Sequence, residues 1–518
     1  MKEILVQKDS YYDSVFLMLI NQDVKKIPGI EDAVVAMGTE MNVDLLKEMG
    51  MANDEVENTG ANDLIIALKG SDKGTLEEAI ETARGMLSKK SSSGEGEAYR
   101  PASLQAAVEH VPDANLAIVS VPGEFAAREV RKALNNDLHV MLFSDNVSLE
   151  DEVALKELAE EKGLLMMGPD CGTAIVNGKP LCFANVVRRG PIGVVAASGT
   201  GLQEVTCAIE NLGEGVSQGL GTGGRDLKSE KVGGRMMLMA IEALKNDEST
   251  RVITVVSKPP HESVAEKVIT ALEKSGKPAV VHFIGLDKRQ VEGNVHYAGN
   301  LEEAAGLSVS LARGERYEEK TFTIPAADVD RIVTEETRGM SKDQKYLRGM
   351  YTGGTLADEA VILLYDTLGG IYSFDSTDDA FILEDPHRSR KNTVVDLGED
   401  VFTVGRPHPM IDPSIRTERM ENEGEDPEVA LFLIDCVLGY GSHSDPAGAM
   451  VPTIKAAKDA AAARGGYLSV VASITGTSGD QQNIQEQKRK LESVGVVVMP
   501  SNYQASMLAL KIMEKVGR

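Results

Sequence analysis

Gly193-Val-Val-Ala-Ala-Ser-Gly-Thr-Gly-Leu-Gln-Glu204 is the stretch from which the fold can be read. A short apolar run ends in Ser-Gly-Thr-Gly, and a helical pattern follows. This is a strand, a tight loop and a helix N-terminus. Unpaired backbone N–H groups and the positive end of the helix dipole converge there on any bound anion. Ser198, Gly199, Thr200 and Gly201 are therefore candidate phosphate-binding residues, with glycines that let backbone approach the anion closely.

A second copy strengthens the reading. Thr352-Gly-Gly-Thr-Leu-Ala-Asp-Glu359 repeats Gly-Thr followed by Glu four residues on, so Gly353, Gly354 and Thr355 join the candidates. Later landmarks also repeat: Lys258-Pro-Pro lies 33 positions beyond Arg225, and Gly439-Tyr-Gly441 lies 33 beyond Arg406. The polar segment around 370–392 reads as an insertion. Two doubly wound α/β modules are expected, each with a phosphate-type loop at its strand ends. Facing each other, they would hold one anion between opposed helix N-termini. The alternative is two unrelated α/β domains with ordinary tight turns.

A chain of 518 residues is too long for one core, so about three or four domains are expected. A net charge of −26 argues against nucleic-acid binding through bulk electrostatics. It does not forbid a small anionic substrate, because a local nest of N–H groups can outweigh a distant field. Cys171, Cys182, Cys207 and Cys436 show no CxxC spacing and read as reduced thiols of a cytoplasmic protein. No metal-ligand spacing, P-loop, signal peptide or membrane-length apolar run is present.

Taken in order, 1–90 reads as an α+β unit and 89–100 as a linker by composition. Residues 101–187 alternate strand and helix as a Rossmann-like module. Residues 188–315 form a third α/β module carrying the opening loop. The charged segment 314–345 reads as a linker or an arm wrapped on a neighbour. Residues 346–518 form the fourth module.

Thr403-Val-Gly-Arg-Pro-His-Pro-Met-Ile-Asp412 is the strongest further constellation. Arg406 can clamp a phosphate or carboxylate with two hydrogen bonds, and His408, fixed between two prolines, can serve as general acid or base. The structural alternative is a rigid turn with an Arg–Asp ion pair. Gly439-Tyr-Gly-Ser-His-Ser-Asp-Pro446 offers Gly441 and Ser442 as anion ligands, or else simply caps a helix with Pro446 in its first turn. Gly221-Thr-Gly-Gly-Arg-Asp226 brings Arg225 to the list of anion-binding candidates. Lys258 ends a strand, where it pairs with an anion or is solvated.

The chain resembles the FdrA family, which is related to the α and β subunits of succinyl-CoA synthetase, fused and without the nucleotide-grasp part. The resemblance rests on Leu142-Phe-Ser-Asp-Asn-Val147, Met167-Gly-Pro-Asp-Cys-Gly-Thr173, Ala197-Ser-Gly-Thr-Gly201, Gly223-Gly-Arg-Asp-Leu227, Val256-Ser-Lys-Pro-Pro260, Tyr351-Thr-Gly-Gly-Thr355 and Val404-Gly-Arg-Pro-His-Pro-Met-Ile-Asp-Pro413. It implies a CoA-binding-type Rossmann domain over 101–187 and two flavodoxin-like ligase-type domains over 188–315 and 346–518. It also implies a subunit of oxamate carbamoyltransferase in allantoin degradation, which converts oxalurate and phosphate to oxamate and carbamoyl phosphate. Partner subunits and homo-oligomerisation are expected with it, and no cofactor is firmly implied. Two departures stand out. Residues 8–14 lack the glycines of a coenzyme A loop, which argues against CoA, and His296 is a poor match to the synthetase phosphohistidine loop. The alternatives are an acyl-CoA synthetase resembling succinate–CoA ligase and a non-catalytic scaffold subunit. In the first reading Arg406 and His408 are catalytic and the loop residues named above bind the anion.

Overall fold

The structure is a computed structural model describing residues 1–518 except 9, 11, 13, 93–100, 102, 287–290, 404, 405 and 518. Parts of three expected segments lie outside the described residues: the 8–14 loop, the 89–100 linker, and the turn at Val404-Gly405. Two units emerge, Met1–Pro101 with Thr403–Pro407, and Ala102–Phe402 with His408–Arg518, and each is described by itself.

The first unit is the expected α+β fold. Strand Leu64–Gly70 lies between Lys2–Gln7 and Ile30–Met37, antiparallel to both. Its residues Leu64 to Leu68 are wholly buried because helices cover both faces of the sheet. Leu64, Ile66 and Leu68 meet Leu17, Ile20 and Val24 of helix Ser14–Lys25 and Leu76, Ala79 and Ala83 of helix Lys73–Ser92. Ile65 and Ala67, on the opposite side of the pleat, meet Val43, Leu46 and Val56. Helix Lys73–Ser92 runs into the segment expected to be linker.

The second unit holds three sheets. The smallest pairs Leu116–Val119, His139–Leu142 and Met166–Met167 in parallel, as the strand–helix alternation predicts. The largest has five parallel strands in the spatial order Val295–Tyr297, Ala279–Phe283, Val252–Ser257, Ile192–Ala197 and Val216–Gly221. The hairpin of Thr173–Val176 and Lys179–Cys182 extends that sheet antiparallel beside Val216–Gly221. The third sheet is wholly parallel, in the order Thr393–Asp396, Tyr346–Tyr351, Val429–Val437, Ser469–Thr475, Val497–Met499. Every residue of Val429–Val437 is buried, as a continuous apolar run covered on both faces requires. Both opening strands, Ile192–Ala197 and Tyr346–Tyr351, sit where connections leave to opposite sides. Loops at such switch points form the crevice of an open α/β sheet. The segment 314–345 contains helix Ala326–Thr337, whose Val329 and Val333 pack into the core shared with Ala505, Leu508 and Ala509. Among the described residues no helix is long and apolar enough to cross a membrane.

Four helices join the two larger sheets, Gly199–Asn211, Leu301–Arg313, Gly354–Leu368 and Asn502–Val516. Their buried polar contacts are reciprocal. Glu204 accepts the backbone N–H of Asn502 at 3.1 Å, the first residue of its helix. Glu359 accepts the N–H of Leu301 at 2.8 Å, the first residue of the other. Each glutamate thus caps the final helix of the opposite module, where two of the orphan helical N–H groups need acceptors. These are the glutamates that follow Thr200 and Thr355 by four residues in the sequence repeat.

Burial pushes the Glu359 carboxyl up to about 7, against the N–H bond from Leu301 that favours the ionised form. The group releases its proton near pH 4.5 once unfolded, so its stabilising contribution is complete below that and is lost as pH rises through about 7. Glu359→Gln keeps an acceptor for Leu301 and removes the titration. Denaturant unfolding of the two proteins between about pH 5 and 8 should show the wild type losing up to about 3 kcal/mol relative to the variant. Parallel profiles would contradict this.

Candidate functional site

The two glycine-threonine loops meet. The hydroxyls of Ser198 and Thr355 are hydrogen-bonded to each other across the module boundary. Ser198 Oγ also accepts Gly201 N at 2.9 Å, making it the N-cap of its helix. A side chain on Gly353 would come within 2.9 Å of Thr200 Cγ2, and one on Gly201 within 3.1 Å of Thr355 Cγ2. The helix N-termini are therefore in direct contact, as opposed anion cradles require.

Their N–H groups are unequally available. Buried Asp435 accepts Thr352 N at 3.0 Å and Gly353 N at 2.8 Å, and Arg416 pairs with it at 2.7 Å. The Gly353 amide, expected to bind phosphate, is thus already taken by an internal carboxylate. Among the described residues, no chain acceptor takes the N–H groups of Gly199, Thr200, Gly354 and Thr355. These four donors remain for a ligand.

Charged groups from three modules surround them. Asp396 ends strand Thr393–Asp396, and its Oδ1 accepts Gly398 N at 2.8 Å. Its other oxygen lies so near Gly354 that any side chain there would strike it, which is why the position demands glycine. Lys258 follows strand Val252–Ser257 and pairs with Asp358 at 2.7 Å. Asp170, Asp358, Asp396 and Glu399 all feel Lys258 electrostatically, and Glu399 acts on Asp170 and Asp396. Each keeps some solvent-exposed surface although protein surrounds much of it, the combination that marks the wall of a concave site. Burial pushes the Asp396 carboxyl up to about 7 and Asp170 to about 6. Burial also holds Asp358 and Glu399 above the usual carboxylate range, while Lys258, which burial would discharge, is kept charged by Asp358.

His408 stands beside this group. Its Nε2 would crowd any side chain placed on Gly398, and its ring centroid lies 6.0 Å from that of Phe183. Burial lowers its pKa to about 4, and Nδ1 accepts Met410 N at 3.2 Å. The neutral ring then carries its proton on Nε2, beside Gly398, so His408 is a hydrogen-bond donor rather than a base at neutral pH. Gly441 packs against Phe183, and Ser442 Oγ is buried without a hydrogen-bond partner among the described residues. The same loop caps helix Pro446–Ala463 through Asp445, as the capping reading requires.

Two expected residues stand apart. Arg225 donates to Val147 O at 2.7 Å and pairs with buried Glu152 at 2.9 Å. It braces the Rossmann-like module beside the buried Lys156–Asp226 pair and is engaged away from the loops. Arg406 falls in the first unit, its N–H donating to Thr403 O at 3.0 Å, and the site of the second unit is described without it. Sequence reasoning missed Asp396, Asp358 and Phe183. An acid closing an apolar run at a strand end, two residues before Gly398, was a usable signal for Asp396. Asp358, one helical turn after Gly354, offered a weaker one, and Phe183 offered none.

Comparison with known proteins follows the same modules. A family model described as CoA-ligase matches residues 350–512, one described as CoA binding domain matches 188–285, and one described as AllF, heavy metal-associated domain matches 1–102. The chain is 46% identical to the Escherichia coli K12 protein YahF over 98% of both chains. It is 25% identical to a succinate–CoA ligase (ADP-forming) subunit alpha 2 of Archaeoglobus fulgidus, over 38% of this chain and 68% of that one. The apo dinucleotide-forming acetyl-coenzyme A synthetase 1 of Ca. Korarchaeum cryptofilum aligns at 14% identity over 79% of this chain and 85% of its own, with a TM-score of 0.33, too low to inform the site. The fold is thus α/β of succinyl-CoA synthetase type with an N-terminal α+β unit.

Two implied groups meet different local chemistry. Residues 1–102 contain neither Cys nor His, so the thiolate and imidazole ligands a heavy metal commonly takes are missing from the N-terminal unit. The CoA binding domain match covers 188–285, so residues 8–14, which follow strand Lys2–Gln7 of the antiparallel sheet, lie outside it. Within it, the turn after Ile192–Ala197 is the Ser198–Gly201 loop, whose Gly199 and Thr200 N–H groups can meet a phosphate.

The buried Arg416–Asp435 pair generates a stability prediction. Arg416→Met strands a carboxylate beneath the Gly354 helix and should cost about 3–5 kcal/mol in denaturant unfolding. A loss below about 1 kcal/mol would show that the pair does not hold this loop.

Proposed function

The chain belongs to the family of YahF, and on that premise we propose that it is an acyl-transferring enzyme of CoA-ligase type that makes or consumes an acyl phosphate. The observation that carries this reading is the meeting of two helix N-termini with four N–H groups left for an anion, from Gly199, Thr200, Gly354 and Thr355. In the synthetic direction a phosphate oxygen attacks the acyl carbonyl. The bond from that carbon to the leaving atom breaks, and the leaving atom departs with a proton, giving acyl phosphate and the protonated leaving group. The N–H groups and helix dipoles stabilise charge on the phosphate and hold it in place for attack. His408, with its proton on Nε2, donates to the carbonyl oxygen as charge develops there.

The acyl donor has two candidates. A thioester, leaving as a thiol, follows from the CoA-ligase and CoA-binding matches. A ureide such as oxalurate, leaving as the amide oxamate with carbamoyl phosphate as product, is the second reading. The acceptor-rich wall of Asp170, Asp358 and Glu399 favours it, because a carbamoyl –NH2 needs acceptors and a simple acyl chain does not.

Incubating the chain, alone and with its native partner proteins, with phosphate and either succinyl-CoA or oxalurate tests both. Acyl phosphate trapped as the hydroxamate from one donor identifies it, and none from either rejects the proposal. Gly354→Ala, which drives a methyl into Asp396, should lower the active reaction about a hundredfold.

A further inference from the structure

A single spot at the entrance to the Gly354 helix is approached from two modules at once. A Cβ on Gly354 would collide with Asp396 Oδ2 and lie 3.6 Å from Lys258 Nζ. Asp396 Oδ1 is occupied by Gly398 N, so Oδ2 is the oxygen turned toward Gly354. Lys258 gives one donor to Asp358 at 2.7 Å, and its side chain remains 39% exposed, which leaves donors for a ligand. Among the described residues, the other charged groups felt at this spot are mostly carboxylates: Asp358 on the helix, Asp375, Glu399 and Asp400 on the connecting segments, and Asp170 from the Rossmann-like module, with Lys228 a further cation acting on Asp358. An anion entering here adds negative charge to a negative surround. The helix ends oppose that repulsion only partly, because their charge is fractional.

Resting on the anion site proposed above, we propose that Lys258 is the cation that completes the cradle, and that Asp396 binds the anion as a neutral acid, its Oδ2–H donating to an anion oxygen. Both partners are then donors, like the four backbone N–H groups beside them. Ionised Asp396 would instead repel the ligand at the distance of a hydrogen bond. Burial, which already pushes this carboxyl up to about 7, acts in the same sense. His408, neutral and beside Gly398, adds a donor and no positive charge. The anion is therefore taken up with a proton on Asp396, and its affinity falls as pH rises through neutrality.

Titration calorimetry of the full chain with inorganic phosphate and with sulfate tests this. Sulfate has no proton to lose between about pH 6 and 8, so any pH dependence of its binding belongs to the protein. Wild type should bind both, with sulfate affinity falling about tenfold or more over that range. Lys258→Met should weaken both anions at least about tenfold. Asp396→Asn should bind sulfate with an affinity that no longer varies with pH. Unchanged affinity in Lys258→Met, or a pH profile preserved in Asp396→Asn, overturns this inference and leaves the anion site standing. Absence of binding to wild type overturns the site itself.

Discussion

Everything in the second unit depends on the reciprocal capping of helices by Glu204 and Glu359. A buried carboxylate is costly unless its oxygens are filled, and here the acceptors are matched to helix N–H groups that have no partner of their own. Because each glutamate belongs to one module and caps a helix of the other, neither module satisfies its buried polar groups alone. Glu302, accepting from Ser501 Oγ and Gln504, ties the same two capped helices to each other. The register between the modules is thus set by directional bonds at both ends of the interface, with apolar packing filling what lies between.

That register fixes the site. Glu204 and Glu359 lie about one turn beyond Thr200 and Thr355, so aligning the glutamates brings the two loops together at the helix starts. Ser198 and Thr355 close the contact. Two positive helix ends pressed together repel, and nothing in the backbone relieves it. Asp435 supplies part of the compensation on one side, already pairing with Thr352 and Gly353. The remaining imbalance is what a bound anion would neutralise. Asp396, pushed up to about 7 by burial, limits part of the opposing charge at neutral pH.

How much of this could be read in the sequence differs by residue, and the reasons are physical. The loop at 193–204 and its echo at 352–359 are local patterns, an apolar strand followed by small residues and a helix, and local patterns survive in sequence. The glutamate spacing within the echo turned out to be the interface itself. A glycine-rich turn says nothing about the partners of its arginine: Arg225 pairs with the buried carboxyl of Glu152, 73 positions earlier. Residues 8–14, from which the argument against CoA was drawn, follow a strand of the antiparallel unit and lie outside the 188–285 match to a CoA binding domain. Asp396 and Lys258 come from strands about 140 positions apart, and only the pairing of the modules brings them to one glycine.

The most direct measurement is a crystal structure of the full chain soaked with carbamoyl phosphate or phosphate. The account predicts density for the anion within hydrogen-bond distance of the backbone nitrogens of Gly199, Thr200, Gly354 and Thr355. An ordered anion bound at another place in the molecule, with those four N–H groups facing only water, would contradict it.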